Sequence, residues 1–144
     1  MAYDTDFYRW TAETASLLRE RRFSEVELEA VIEEIESLGR REKHEVYNRV
    51  LRIVELMLKL DLATGQLLDY NRRGWLGSVE RQRAELERVF EDSPSLRAQL
   101  TGELVAKAYR DAARIVAVEY DLVPPGDCPF TVCSVLEGHQ GQKQ

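Results

Sequence analysis

Residues that carry chemistry are scarce in this chain. Only two histidines occur among its 144 residues, His44 and His139, and Cys128 and Cys133 are the only cysteines. A carboxylate-bridged di-metal site in a helical bundle needs a pair of Glu-x-x-His motifs and two further Glu. The histidine inventory excludes it. No H-E-x-x-H helix is present for zinc, and the two cysteines lack nearby His or Cys partners, which makes them poor ligands. The GWLG at Gly74 to Gly77 has neither the length nor the Lys of a phosphate loop. No local signature places a Ser or Cys nucleophile beside a His. No run of about 18 apolar residues exists, so no membrane-spanning helix is expected. The opening MAYDTDFYRW has neither the basic start nor the apolar core of a secretory signal. Two thiols without such a signal point to a cytoplasmic protein with free thiols.

What is present is a helix-forming composition. Apolar residues make up 44% and charged residues 32%, a mix that folds rather than staying disordered. The length suits a single domain, expected over residues 1–137, with a disordered tail over 138–144. Acid outweighs base, 26 Asp and Glu against 20 Lys and Arg, for a net charge of −6. A net negative chain is repelled by nucleic acid and anionic lipid unless its basic residues cluster.

The stretch from Ser24 to Leu60 reads as one helix of about 54 Å. Ser24 and Glu27 match an S-x-x-E capping box, with Phe23 and Leu28 in hydrophobic-staple positions. Leu28, Val31, Ile32, Ile35 and Leu38 open an apolar stripe that keeps its phase into Val46, Val50, Ile53, Met57 and Leu60. Gly39 costs about 1 kcal/mol against Ala there, and the alternative is two helices with a turn at Gly39 to Arg41. The first half of the stripe is narrow and flanked by Glu29, Glu33, Glu34 and Glu36. From Val50 on, Leu51, Val54, Leu56 and Leu58 widen it almost around the helix. Glu42 and Arg49 project toward the narrow part, and if buried they are expected to pair.

Shorter helices complete the pattern. A first helix over residues 5–22 has Asp4 or Asp6 as its cap, and Phe7 and Trp10 lie on its apolar face. Residues 61–74 read as a turn-rich segment, followed by a helix from about Arg73 to Phe90 with Trp75, Val79, Gln82, Leu86 and Val89 inward. Ser93 with Pro94 predicts the start of the next helix, reaching Tyr120 with Ala108, Ala112 and Val116 inward. Thr131 caps a short last helix, with Phe130 and Val135 in staple positions. The fold class expected is all-α: a bundle of about four main helices around the long second helix, plus the short C-terminal one.

Several stretches resemble the bacterial family known as domain of unknown function 29. They are YDTDFYRWT, LEAVIEEIESLGRRE, RRGWLGSVERQR, EDSPSLR, AYRDA and CPFTVCSVL, in family order. The resemblance implies an all-helical prokaryotic cytoplasmic protein, and it carries no activity and no catalytic residues with it. Members often have a His and a Trp in an H-L-L-K-W run where this chain has Leu56, Met57, Leu58, Lys59 and Leu60. The segment DLATGQLLDYN also departs from the usual Arg-rich linker.

Three functional expectations follow from the residues. The leading one is a non-enzymatic protein–protein interaction module, self-associating as a homo-oligomer through Leu51, Val54 and Leu58, with no cofactor or catalytic residue. The second is nucleic-acid binding through Arg72, Arg73, Arg81 and Arg83, which interleaved Glu residues and the net charge disfavour. The third is a metal-dependent enzyme using Glu33, Glu36 and Glu42. Any site on the acidic half is expected where Glu36 and Glu42 meet Arg from the third helix.

Overall fold

A computed structural model describes residues 5–138, and Asp4, His139 and the expected tail beyond residue 138 lie outside them. The described residues contain helices and turns and no strand. The chain divides into two compact units, Met1–Arg41 and Glu42–Gln144.

In the first unit, α1 spans Phe7–Arg19. Asp6 caps it, its carboxylate accepting the Arg9 N–H at 3.1 Å. Trp10 and Thr14 are buried, and the Phe7 ring stacks on Trp10 at 5.7 Å. The helix ends in a Schellman-type closure: Arg21 takes a left-handed φ of 61°, and the Arg22 N–H returns to the Leu17 carbonyl at 2.9 Å. A 3-10 turn over Phe23–Glu25 follows, closed by Arg22, which donates to Glu25 at 2.5 Å and to Glu20 at 3.2 Å. This turn corrects the expected capping box. The Glu25 and Val26 N–H groups bond back to Arg22 and Phe23, so Ser24 lies inside the turn and α2 starts at Leu28. Phe23 and Leu28 are both exposed and form no staple.

Helix α2 spans Leu28–Leu62 without a break, passing through Gly39. Its residues to Arg41 belong to the first unit and those from Glu42 to the second.

The second unit is a three-helix bundle of the later part of α2 with α3 (Gly65–Asp92) and α4 (Gly102–Tyr120), closed by the short α5 (Val132–Glu137). Ala63 and Thr64 alone link α2 to α3, and Gly65 makes the reversal at φ 60°, a conformation that costs glycine little. The turn-rich segment expected over 61–74 is therefore mostly helix. Arg49 on α2 donates to Gln82 on α3 at 3.0 Å, while Lys59 lies over the Trp75 ring, so the two helices run antiparallel. Tyr47 bonds Asp111, and Lys59 pairs with Glu119. Helix α4 thus runs parallel to α2, as an up-down-up bundle requires.

The start expected at Ser93 also needs correction. Ser93 makes no side-chain cap bond, and Pro94–Gln99 forms a 3-10 turn. Buried Leu96 and the Arg97 guanidinium, 5.0 Å over the Phe90 ring, hold that turn. The cap of α4 is Thr101, which accepts the Leu104 N–H at 3.1 Å. The expected cap at Thr131 is present, as a capping box with Ser134.

The core holds Val50, Ile53, Leu56, Met57, Leu86, Phe90, Val116 and Val135, all fully buried. Each such aliphatic or aromatic side chain contributes about 1.5–3 kcal/mol by leaving water. Alanines at 108 and 112, also fully buried, let α4 approach its neighbours. Helix α5 is too short to stand alone. Arg83 holds it, donating to the carbonyls of Val135 at 2.9 Å and Ser134 at 3.2 Å.

Candidate functional site

Helix periodicity places Tyr47, Leu51, Glu55 and Lys59 in one row along α2, each four residues after the last. Opposite them on α4 stand Asp111, Ile115 and Glu119 at the same interval. The lower end of this seam is polar. Lys59 is only 4% exposed and Glu55 8%, yet both carry charge. The Lys59 ammonium lies 3.3 Å from the Glu55 carboxylate and 3.8 Å from that of Glu119. Two aromatic faces complete its surroundings, Tyr120 at 4.8 Å and Trp75 at 5.8 Å, themselves packed edge to face at 5.9 Å. Arg52 bonds Glu55 from the solvent side at 2.5 Å.

The ammonium is thus held between carboxylates and ring faces and almost closed off from solvent. The network fixes how α2, α3 and α4 meet, the role for which buried ion pairs are best attested. The sequence reading missed it, since Lys59 in VELMLKL looked like one polar residue in an apolar run. Its signal was the Glu55–Lys59 spacing together with Trp75.

At the other end, Tyr47 donates to Asp111, and Lys107 lies 5.0 Å over the Tyr47 ring. Burial, followed by the hydrogen bond to Asp111 and its negative charge, pushes the Tyr47 hydroxyl up to about 12. Between the two ends an open groove of about 600 Å³ is lined by Leu51, Asp111, Arg114, Ile115, Val118 and Glu119. Its volume falls within the range of small-molecule sites. Its polar groups diverge, however, Asp111 toward Tyr47 and Glu119 toward Lys59.

The first unit presents a different surface. Leu28, Ile32, Ile35 and Leu38 are between 39% and 62% exposed. On the same stretch of α2, Ala30, Val31, Glu34 and Ser37 are half-buried. At about 100° per residue the two groups are centred about 120° apart. The covered side of the helix is thus mainly small and polar, while its large aliphatic side chains face water. This inverts the usual placement in a globular unit.

A family model described as Domain of unknown function DUF29 matches residues 2–139. The chain belongs to this family. No curated protein and no solved structure matches the chain. In this DUF29 chain Leu56 and Met57 are fully buried, and Lys59 stands at the centre of the polar network.

The residues singled out from the sequence are scattered over the DUF29 fold. Val54 and Leu58 are fully buried in the core of the second unit, and Leu51 is half-buried at the groove. The excess of apolar positions after Val50 is covered by the chain's own helices. Arg72, Arg73 and Arg81 are exposed but spread over about half the circumference of α3. Arg83 is turned inward to α5, where it also approaches the Met57 sulfur at 3.8 Å. Glu33 and Glu36 lie in the first unit and Glu42 in the second, all exposed and without an ion pair among the described residues. Arg49, expected beside Glu42, pairs instead with Glu45 at 2.8 Å. No group of three potential ligands that could hold a metal is found among the described residues, nor is any helix long and apolar enough to cross a membrane.

Proposed function

We propose that this chain is a non-enzymatic helical interaction module, acting in the bacterial cytoplasm, and that it docks partners through the first unit. The observation that carries the reading is the aliphatic stripe Leu28, Ile32, Ile35 and Leu38, exposed on an already formed helix. Side chains at these intervals are the anchors by which one helix recognises another, and contiguous exposed apolar patches mark interaction sites. Catalysis has less support, because the Lys59 and Glu55 cluster is closed off from solvent. Affinity capture from the native host tests the reading, with the wild-type chain and an Ile35→Lys/Leu38→Lys variant as baits. Recovery of specific proteins, the chain itself included, should be lost with the variant; equal recovery by both baits would remove the proposal.

A further inference from the structure

The seam between α2 and α4 is bridged by polar groups at two levels and is apolar between them. Tyr47 meets Asp111 at one level, and Lys59 meets Glu119 at the other. Asp111 and Glu119 are little more than two helical turns apart, so the interval is about 12 Å long. Leu51 from α2 with Ile115 and Val118 from α4 line the groove there.

Both carboxylates of the lining are engaged, Asp111 by the Tyr47 hydroxyl and Glu119 by Lys59. The remaining charged residue of the lining, Arg114, is exposed and has no ion pair among the described residues. Lys107, Arg110 and Arg114 follow at intervals of three and four, so they form one row, and all three are exposed. Arg110 likewise has no ion pair among the described residues, and Lys107 lies over the Tyr47 ring. Side chains on a helix lean toward its N-terminus, which carries the Arg114 guanidinium toward the Tyr47 level and its two basic neighbours. The acids at that end are Asp111 and, one turn beyond Lys107, Glu103. Three cations against two carboxylates leave a local positive excess in a chain whose net charge is −6.

These features select the occupant. A sugar or a nucleotide finds no set of polar partners on Leu51, Ile115 and Val118, and a cation finds no unengaged carboxylate. An aliphatic chain suits the floor, and a guanidinium takes a carboxylate through two parallel hydrogen bonds. At about 1.25 Å per methylene, an interval of about 12 Å holds a chain of about eight to ten carbons.

We propose that the α2–α4 groove binds a medium-chain aliphatic carboxylate. Its head lies on Arg114, with Arg110 and Lys107 beside it, and its tail runs along Leu51, Ile115 and Val118 toward Lys59. The site lies wholly within the second unit and is independent of the docking surface on the first.

Calorimetric titration of the purified chain with hexanoate, octanoate, decanoate and dodecanoate, all below micelle formation, tests this. One molecule is expected per chain. A fully buried methylene is worth about fourfold in affinity, and an open groove covers about half of it, so each added methylene should give about twofold. The gain should stop near decanoate, where the tail reaches Lys59. Decanol, with the same chain and no charge, should bind about tenfold more weakly. Arg114→Gln should weaken decanoate about tenfold and leave decanol unchanged. Val118→Asn should weaken both about threefold. Val118 and Arg114 are exposed, so neither change should alter helix content by circular dichroism.

No binding of decanoate at millimolar concentration overturns the proposal. So does an affinity indifferent to chain length, which is ion association alone, or binding of several molecules that neither variant weakens, which is detergent-like adsorption. None of these outcomes touches host capture through Ile35 and Leu38, so the two proposals fail separately.

Discussion

In the first half of α2, Leu28, Ile32, Ile35 and Leu38 lie open to water, while in the second Val46, Val50, Ile53 and Met57 are fully buried. One stripe, in one phase, runs through both. The second half meets two helices of its own bundle, and its polar residues are drawn into the core as well: Lys59 and Glu55 are enclosed together. In the first half Glu29, Glu33, Glu36 and Arg40 are exposed, with no ion pair among the described residues. Periodicity alone therefore does not say whether a helix face is covered. What distinguishes the halves is width, since a helix apolar on nearly all sides has to be central in its own fold.

Truncations along the stripe give the largest expected contrast. Leu58→Ala should lower unfolding free energy by about 3 kcal/mol, through lost transfer energy and the cavity left behind. Ile35→Ala, measured by chemical denaturation at a concentration where the chain is monomeric, should change it by no more than about 0.5 kcal/mol. Similar losses at both positions would erase the distinction between the halves.

A second contrast concerns charge. Lys59→Met leaves the buried Glu55 with only its solvent-side partner Arg52, and should cost about 2 kcal/mol. Adding Glu55→Leu should restore much of that loss, a coupling visible in a double-mutant cycle. Glu33→Leu in the first half should leave the monomer's stability unchanged.

The effect of pH comes next in size. Because the Tyr47 hydroxyl is raised to about 12 in the folded chain, from about 10 unfolded, its proton is held by the folded state alone between those values. Its stabilising contribution is complete below about pH 10 and is lost as pH rises toward 12. Tyr47→Phe should flatten this alkaline decline in denaturation curves; an unchanged decline would mean that Tyr47 is not enclosed. The smallest effect lies where the halves join. No atom lies within 4 Å of where a Gly39 Cβ would stand, so Gly39→Ala should raise the thermal midpoint, by up to about 1 kcal/mol in stability. A lower midpoint would mean that α2 bends there.

Much of the fold was legible because helix phase survives polar interruptions. Leu28 to Leu60 kept one register across GRREKHE, and the structure has one helix there. Punctuation was harder to read. Ser24-x-x-Glu27 has the form of a cap, but Arg22 pairing with Glu25 closes a tighter turn first. Pro94 starts a 3-10 turn because Leu96 and Arg97 find partners on α3. Gly65 looked like part of a loop, whereas one residue at positive φ suffices to reverse the chain. The candidate surface was half legible: its residues were on the page as a narrow stripe, but their exposure depends on what the rest of the unit covers. Lys59 was hidden for a related reason, since its partners Trp75 and Glu119 lie far along the chain.

The grip of Arg83 on the carbonyls of Ser134 and Val135 bears on how the protein is made. The α2–α3 hairpin is local and can assemble while later residues are still being synthesised. Its apolar interior is not covered until α4, and then a segment more than fifty residues downstream of that arginine, arrive. During synthesis the bundle therefore stays partly open, with apolar surface uncovered, until Phe130 and Val135 emerge.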